Sequence, residues 1–373
     1  MMIPMTRHLT RTLLLLLCLS FASPLLQSQT ANAPPPRAAT KFTASSLLPG
    51  PKPPDAPAAW KRFVGIYEYS NNGNSKVQVI ILERNQIPYL HYPAKPEEEI
   101  YFDLNLKLMS VPDPVKRAWS YSIEEEPARP PYFAYLSESF VRTDPGANPA
   151  NYFHIKPLRP IDQLRSAALA TPPPAEQGPF RKPELVELAT LDAAIHLDIR
   201  YAQSNNFLST PIYTQARAFL QRPAAEALLR VLHKLQPLGY GLLIHDAYRP
   251  WYVTKIFWDA APPVDHIFVA DPQKGSRHNR GCAVDLTLYD LSTGKPVEMT
   301  GMYDEMSPRS FPDFPGGTSL QRWHRDLLRR AMESEGFTVN EEEWWHFDYK
   351  DWKQYPILNV PFENLGIAAA PAV

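Results

Sequence analysis

Cysteine is close to absent from this chain: Cys18 and Cys282 are the only two in 373 residues. Cys18 falls in an N-terminal apolar run, so a processed protein would retain Cys282 alone, which excludes an intramolecular disulfide framework. At the start of an apolar strand, Cys282 reads as a small buried residue rather than a reactive thiol. An excess of charge is missing as well, with 38 Lys and Arg against 39 Asp and Glu. Without a sustained basic stretch there is no electrostatic footprint of a nucleic-acid binder, and small or neutral substrates fit better. The apolar run from Leu13 is too short to read as a membrane span.

What is present falls into segments. Arg7 and Arg11, then the apolar run, then small and polar residues form the pattern of a secretory signal peptide over 1–33, with an uncleaved anchor as the alternative. The protein is therefore expected to be exported, to the periplasm, with no stable membrane span after cleavage. Residues 34–58 are rich in proline, which blocks both helix and ladder formation, and read as a linker. Over 59–159, stretches such as FVGIYEYS, KVQVIILER, IPYLHYPA, YFAYLSESFVR and NYFHIKPLR alternate aromatic and β-branched residues between turn signals. They predict a small all-β accessory domain, a barrel or sandwich, in which His91 and His154 are ordinary strand histidines.

A second linker, 160–184, contains TPPPAEQGPFRKP, and the chain then changes character. RPAAEALLRVLHKLQPLG predicts a helix with Pro223 in its first turn and Gly239 at its end. GLLIHDAY and CAVDLTLY read as buried strands, and LQRWHRDLLRRAMESEGF as an amphipathic helix closed by Gly336. Helices and strands without strict alternation predict an α+β domain over 185–360, its small antiparallel sheet flanked by helices, with a tail at 361–373.

The chemistry of that domain starts at SRHNRGCAVD, residues 276–285. His278 and Asp285 are metal-ligand types, and Gly281 between them lets the chain fold back so that they converge. EEEWWHFDY, at 341–349, supplies a third ligand, His346, with Glu343 three residues before it. Two histidines and a carboxylate suit a catalytic zinc, which takes three protein ligands and keeps a position open. A carboxylate near the ligands but not among them can move a proton between water and a leaving amine, and Glu343 is in position for that. Arg249 follows a buried strand and precedes Pro250, a helix-blocking residue; it can stabilise an oxyanion, form an ion pair with Asp246, or do both.

Together, D-A-Y-R-P, S-R-H-N-R-G-C-A-V-D and E-W-W-H, in that order, resemble the VanX-type D-alanyl-D-alanine dipeptidases, zinc enzymes related to D,D-carboxypeptidases of peptidoglycan metabolism. The similarity spans about residues 185 to 357. It implies one zinc ion (Zn2+) per subunit held by His278, Asp285 and His346, with Glu343 as general base and acid and Arg249 on the tetrahedral intermediate. It also implies substrate contacts from Ser276, Tyr201, Asp246 and Asp304. The chain departs from the family pattern where M-S-P-R-S, with Ser307 and Pro308, follows Asp304, and where Arg277 replaces a small residue, so the rim of the pocket is expected to differ in shape.

The activity so implied is hydrolysis of the small D,D-dipeptide D-Ala-D-Ala, with peptidoglycan fragments as further partners. An exported D,D- or L,D-carboxypeptidase acting on stem peptides would use the same metal centre. A non-catalytic cell-wall binding protein would need neither the base nor the arginine.

Overall fold

The computed structural model describes residues 44–71, 75–103, 108–110, 119–120, 122–124, 132–135, 138–144 and 154–366. The expected signal peptide, the first part of the proline-rich linker and the tail from 367 lie outside the described residues.

A single turn, α1 (Ala58–Lys61), leads into strands rich in aromatic and β-branched residues: β1 (Gly65–Asn71), β2 (Ser75–Arg84), β3 (Ile87–Tyr92), β4 (Lys95–Asp103), β5 (Leu108–Ser110), β6 (Trp119–Ser120), β7 (Ser122–Glu124), β8 (Tyr132–Tyr135) and β9 (Glu138–Arg142). They pair antiparallel in the order β6-β5-β4-β3-β2-β1-β9-β8-β7. Between β2 and β3 stand only Asn85 and Gln86, both at positive φ, the two-residue hairpin turn whose twist matches the flanking strands. His91 is buried on β3. His154 is not on a strand, contrary to expectation: its chain is irregular and its Nδ1 lies 3.1 Å from the Asn206 carbonyl oxygen. Pro157 and Pro160 remove the ladder donors that a strand there would need.

The expected second linker also contains structure. Helix α2 (Ile161–Leu169) buries Leu164 and Ala168 in the main core and packs on a later helix. Beyond it come β10 (Leu185–Glu187), β11 (Ile195–Leu197), β12 (Phe219–Gln221), α3 (Arg222–Leu235), β13 (Tyr240–Asp246), α4 (Trp251–Ala260), β14 (Ala283–Asp290), α5 (Ser319–Glu333), β15 (Phe337–Val339) and β16 (His346–Tyr349). Pro223 opens α3 without forfeiting a hydrogen bond, and Gly239 ends the following turn at φ 87°. Thr318 and Gln321 cap α5 reciprocally. Pro250 does not block a helix but stands just ahead of α4, where its fixed φ is already suitable.

The central sheet runs β11-β13-β14-β16-β15. It is antiparallel except at one edge, where β11 lies parallel to β13, because the chain between them returns through β12 and α3 as a crossover. Leu242 pairs with Leu288 and Ile244 with Leu286, so one face is apolar and shares a core with Leu228, Leu232, Leu327 and Leu328. Each such fully buried leucine contributes about 2 kcal/mol. The opposite face carries Asp285 and Thr287, and beside Asp285 stands His346.

The N-terminal sheet meets the C-terminal part along residues 309–322. Leu82 bridges to Gly317, and Phe314 packs with Ile66, Ile80 and Leu82 in a core of their own. Among the described residues no helix is long and apolar enough to cross a membrane.

Candidate active site

Backbone geometry brings His278 to the sheet. The turn Ser276–Arg280 closes on Gly281, whose φ of 66° is a left-handed conformation that L side chains rarely adopt. A Cβ at Gly281 would also stand 2.6 Å from Leu185 Cδ2. Asn279, fully buried, ties this turn to its neighbours: it accepts from Ser276 N at 2.7 Å and donates to the Arg249 carbonyl and to Thr254 Oγ1, both at 2.9 Å. Ser276 Oγ in turn accepts from His278 N.

Asp285 lies opposite His346 across β14 and β16, at the end of the polar face. Glu343 is not on the strand. It belongs to the turn just before β16, where His346 N donates to the Glu343 carbonyl, so side chains three residues apart meet on one side. A continuous strand would have sent them to opposite faces.

The three ligand-type residues converge, with ligand atoms all within 4.8 Å of one another and the side chains buried. His278 Nε2 is 3.3 Å and His346 Nδ1 3.0 Å from Asp285 Oδ1. Each ring is held from behind: His278 Nδ1 lies 2.6 Å from the Ala247 carbonyl oxygen, and His346 Nε2 lies 3.0 Å from Asp348 Oδ1. Such outer bonds orient a ring so that its other nitrogen presents a lone pair inward. Asp285 Oδ1 is buried without a well-directed hydrogen bond despite those short distances. Two imidazole nitrogens and an unsatisfied carboxylate oxygen aimed at one point fit a divalent cation. Asp285 Oδ2 accepts from Tyr303 Oη at 3.1 Å.

The surrounding charges are set by burial and by one another. Loss of bulk water pushes the Glu343 carboxyl up to about 7, with Asp285 adding to the rise while His346 and Arg249 oppose it. Burial and the negative neighbours Asp285 and Glu343 raise Asp304 well above the usual carboxylate range. Tyr201 Oη donates to both Asp304 oxygens, at 3.0 and 3.2 Å. Arg249 stays charged: burial works against it, but Asp246 and the other groups around it together outweigh that, and Asp246 Oδ2 accepts from Nε at 2.9 Å and from Nη2 at 2.6 Å.

Tyr201, Arg249, Ser276, His278, Asp285, Asp304, Glu343 and His346 all line one cavity of about 240 Å³. Asp246 does not. Its oxygens are taken by Arg249, Tyr213 Oη and Ala247 N, and it stands behind the arginine, so the substrate contact expected of it gives way to a positioning role. Three contributors escaped the sequence reading. Asp348 had a legible signal, two residues after His346 on a strand and hence on the same face. Asn279, in its bonds to Arg249 and Thr254, and Tyr303, in its bond to Asp285, had none, since those partners come from other segments. Cys282 is buried, and burial pushes its thiol up to about 12, so it is inert.

Residues 181–364 match the model of peptidase family M15, described as D-ala-D-ala dipeptidase. A D-alanyl-D-alanine dipeptidase of Escherichia coli (strain K12) is 37% identical over 179 residues, covering 48% of this chain and 91% of that protein. Proteins of the same description from Enterococcus faecium and Enterococcus faecalis are 34% identical over 187 residues and 35% identical over 191, each covering 44% of this chain and 92% of the relative. The matched stretch contains all the candidate site residues and begins beyond the N-terminal sheet.

Proposed function

Because the chain belongs to the D-Ala-D-Ala dipeptidase family of M15 peptidases, we propose that it hydrolyses the dipeptide D-Ala-D-Ala to free D-alanine, with one zinc ion per subunit. The observation that carries this reading is the convergence of His278, Asp285 and His346 in a cavity of about 240 Å³ that also presents Glu343, Arg249 and Asp304. That volume is below the range of about 300–1,000 Å³ usual for drug-sized ligands, and it suits a free dipeptide better than a stem peptide.

His278 Nε2, Asp285 Oδ1 and His346 Nδ1 would hold the zinc. When bound there, zinc supplies Lewis-acid chemistry, acidifying water and polarising a carbonyl. The other steps fall to side chains of this chain. Glu343, beside the candidate ligand His346, accepts the proton of the attacking water and delivers it to the departing amine. Arg249 donates to the scissile carbonyl oxygen as negative charge develops, and Asp246 keeps the guanidinium in place beforehand, so no reorganisation is needed at that moment. Asp304, with Tyr201 beside it, receives the free ammonium, whose charge offsets the repulsion from Asp285 and Glu343. Ser276 Oγ accepts from His278 N and keeps its own proton to donate to the substrate carboxylate.

D-Ala-D-Ala is a peptidoglycan constituent, so this reaction belongs to cell-wall metabolism. Arg7, Arg11 and the apolar run from Leu13 support export to the periplasm. We read 59–159 as an accessory β module of barrel-like or sandwich form and 185–360 as the catalytic domain.

The test is release of D-alanine from D-Ala-D-Ala by the purified, zinc-loaded protein, run beside a pentapeptide stem and with a chelator control. Chelator-sensitive cleavage of the dipeptide alone is the expected result. Cleavage of the stem instead would make the protein a carboxypeptidase, and silence on both would overturn the reading.

A further inference from the structure

We infer that the N-terminal sheet controls which peptides the active site accepts: Asp144, through a buried ion pair with Arg309, pins the loop 300–310 that presents Asp304, and so limits the substrate to a dipeptide. The inference rests on the proposed function and deepens it.

The loop is closed on itself at its base. Arg309 Nε donates to the Thr300 carbonyl at 3.0 Å, and Thr300 Oγ1 reaches the Arg309 carbonyl at 3.4 Å. Gly301 sits against this closure, since a Cβ there would be 2.8 Å from the Arg309 carbonyl oxygen. Within the loop, Glu305 accepts from Met302 N at 2.7 Å and from Ser307 Oγ at 2.6 Å. Asp304 is held at the apex with φ 56°. This left-handed conformation is one that aspartate adopts more readily than most residues, and it turns the chain sharply there.

What holds the base comes from outside the segment that matches the family. Arg309 Nη1 donates to Asp144 Oδ1 at 2.7 Å, and the Asp144 side chain is completely buried. Ile66 N and Arg142 also donate to this carboxylate. The approach depends on Gly65, where a Cβ would crowd Asp144 Oδ2 and stand 2.7 Å from Arg142 Nη2. The same sheet grips the segment further on, where Glu83 N donates to the Gly317 carbonyl and Phe314 enters the small core. M-S-P-R-S, the departure from the family pattern, is thus the stretch that supplies Arg309 to the extra sheet.

The pinned loop is a partition. Asp304, Glu305, Met306 and Ser310 face the catalytic cavity, whereas Gly301, Met302, Tyr303 and Arg309 line a second cavity of about 780 Å³ on the other side. With the loop in place, a peptide whose amine reaches Asp304 meets the loop itself at that end of the cavity. Ser310 is held independently, its carbonyl accepting from Trp344 N at 2.8 Å. Loss of the Asp144 anchor therefore frees the apex at Asp304 while the turn that carries Glu343 stays supported. Asp144 is a positioning residue, not a catalytic one.

The experiment uses the full zinc-loaded chain as wild type, Asp144→Asn, and the double variant Asp144→Asn with Arg309→Gln. The double variant removes both members of the Asp144–Arg309 pair, while Arg142 keeps its bonds to the Arg62 and Val64 carbonyls, and it carries the test if the single variant does not fold. kcat and KM are measured for D-Ala-D-Ala and for the tripeptide L-Ala-D-Ala-D-Ala. Backbone hydrogen exchange is followed over 300–310 and, as a control, over β13 and β14. The preference for dipeptide over tripeptide should fall by about tenfold or more, mainly through a gain in kcat/KM on the tripeptide, with kcat on the dipeptide little changed. Exchange should rise in 300–310 and not in the two strands, a pattern that general loss of stability would not give. A preference within about threefold of wild type in a folded variant, or exchange that rises evenly, would overturn the inference. Failure of the wild type on the dipeptide would instead bring down the proposed function, and the inference with it.

Discussion

His278 Nε2 and His346 Nδ1 stand 3.1 Å apart, each on a ring whose outer nitrogen is already engaged, by the Ala247 carbonyl and by Asp348. If both outer nitrogens carry the protons, two lone pairs face each other beside an unsatisfied Asp285 oxygen, and only a cation or an added proton relieves that repulsion. Zinc should therefore raise the melting temperature, with a stabilisation of about 4 kcal/mol when zinc is a thousandfold above its Kd. Thermal melts with zinc and with chelator check this. The stabilisation should fade at acid pH, where protons compete with a metal for its ligands.

Asp348 would act on a bound metal through His346. Asp348→Asn leaves the ligand set intact but weakens the bond that orients the ring, and zinc affinity or activity should drop by about 10- to 100-fold. Competition with a coloured chelator measures the affinity directly. An unchanged affinity would show that the strand alone orients His346.

Glu343 lies 3.6 Å from His346 Nδ1 but is assigned the proton rather than the metal. Glu343→Gln should lower kcat by about 10²- to 10⁴-fold while zinc content stays at one per chain. Loss of zinc in this variant would instead make Glu343 a ligand.

Asp144 links stability to pH. Burial would raise its pKa, but Arg142 and Arg309 outweigh that and hold the carboxyl below its usual value. A depressed folded pKa contributes stability that is fully present above the unfolded value, about 4, and is lost as pH falls through the folded one. The gap in melting temperature between wild type and Asp144→Asn should accordingly be large at pH 7 and shrink below about pH 4. A gap that does not change with pH would show that the carboxylate's charge adds nothing.

Gly281→Ala places a Cβ against Leu185 at a left-handed φ, and should destabilise by about 1–3 kcal/mol while displacing His278. Denaturant unfolding and zinc binding, measured on the same sample, report both effects.

Much of the catalytic part was legible because its signals are local. Helical spacing, Pro223 and Gly239 mark α3, and an unbroken apolar run marks β13. The glycine turn between His278 and Asp285 could be read as a device for convergence, since its φ requirement is a property of one residue. Helix α4 was missed because Pro250 reads as a breaker when only its missing N–H is considered; as the residue ahead of a first turn it forfeits nothing. The parallel pairing of β11 was illegible because three residues have no periodicity to distinguish orientation.

The order and residue types of the candidate metal ligands, the candidate base and the arginine were determined by the sequence itself, because ligand type, glycine turns and strand ends are written in short stretches. Only the tertiary structure decided that Tyr303 reaches Asp285, that Asn279 reaches Arg249 and Thr254, and that Asp144 reaches Arg309. Those relationships join residues by hydrogen bonds and burial across as many as 165 positions of chain. Side-chain bonds of that kind depend on which surfaces the folded elements bring together, and no local pattern encodes them.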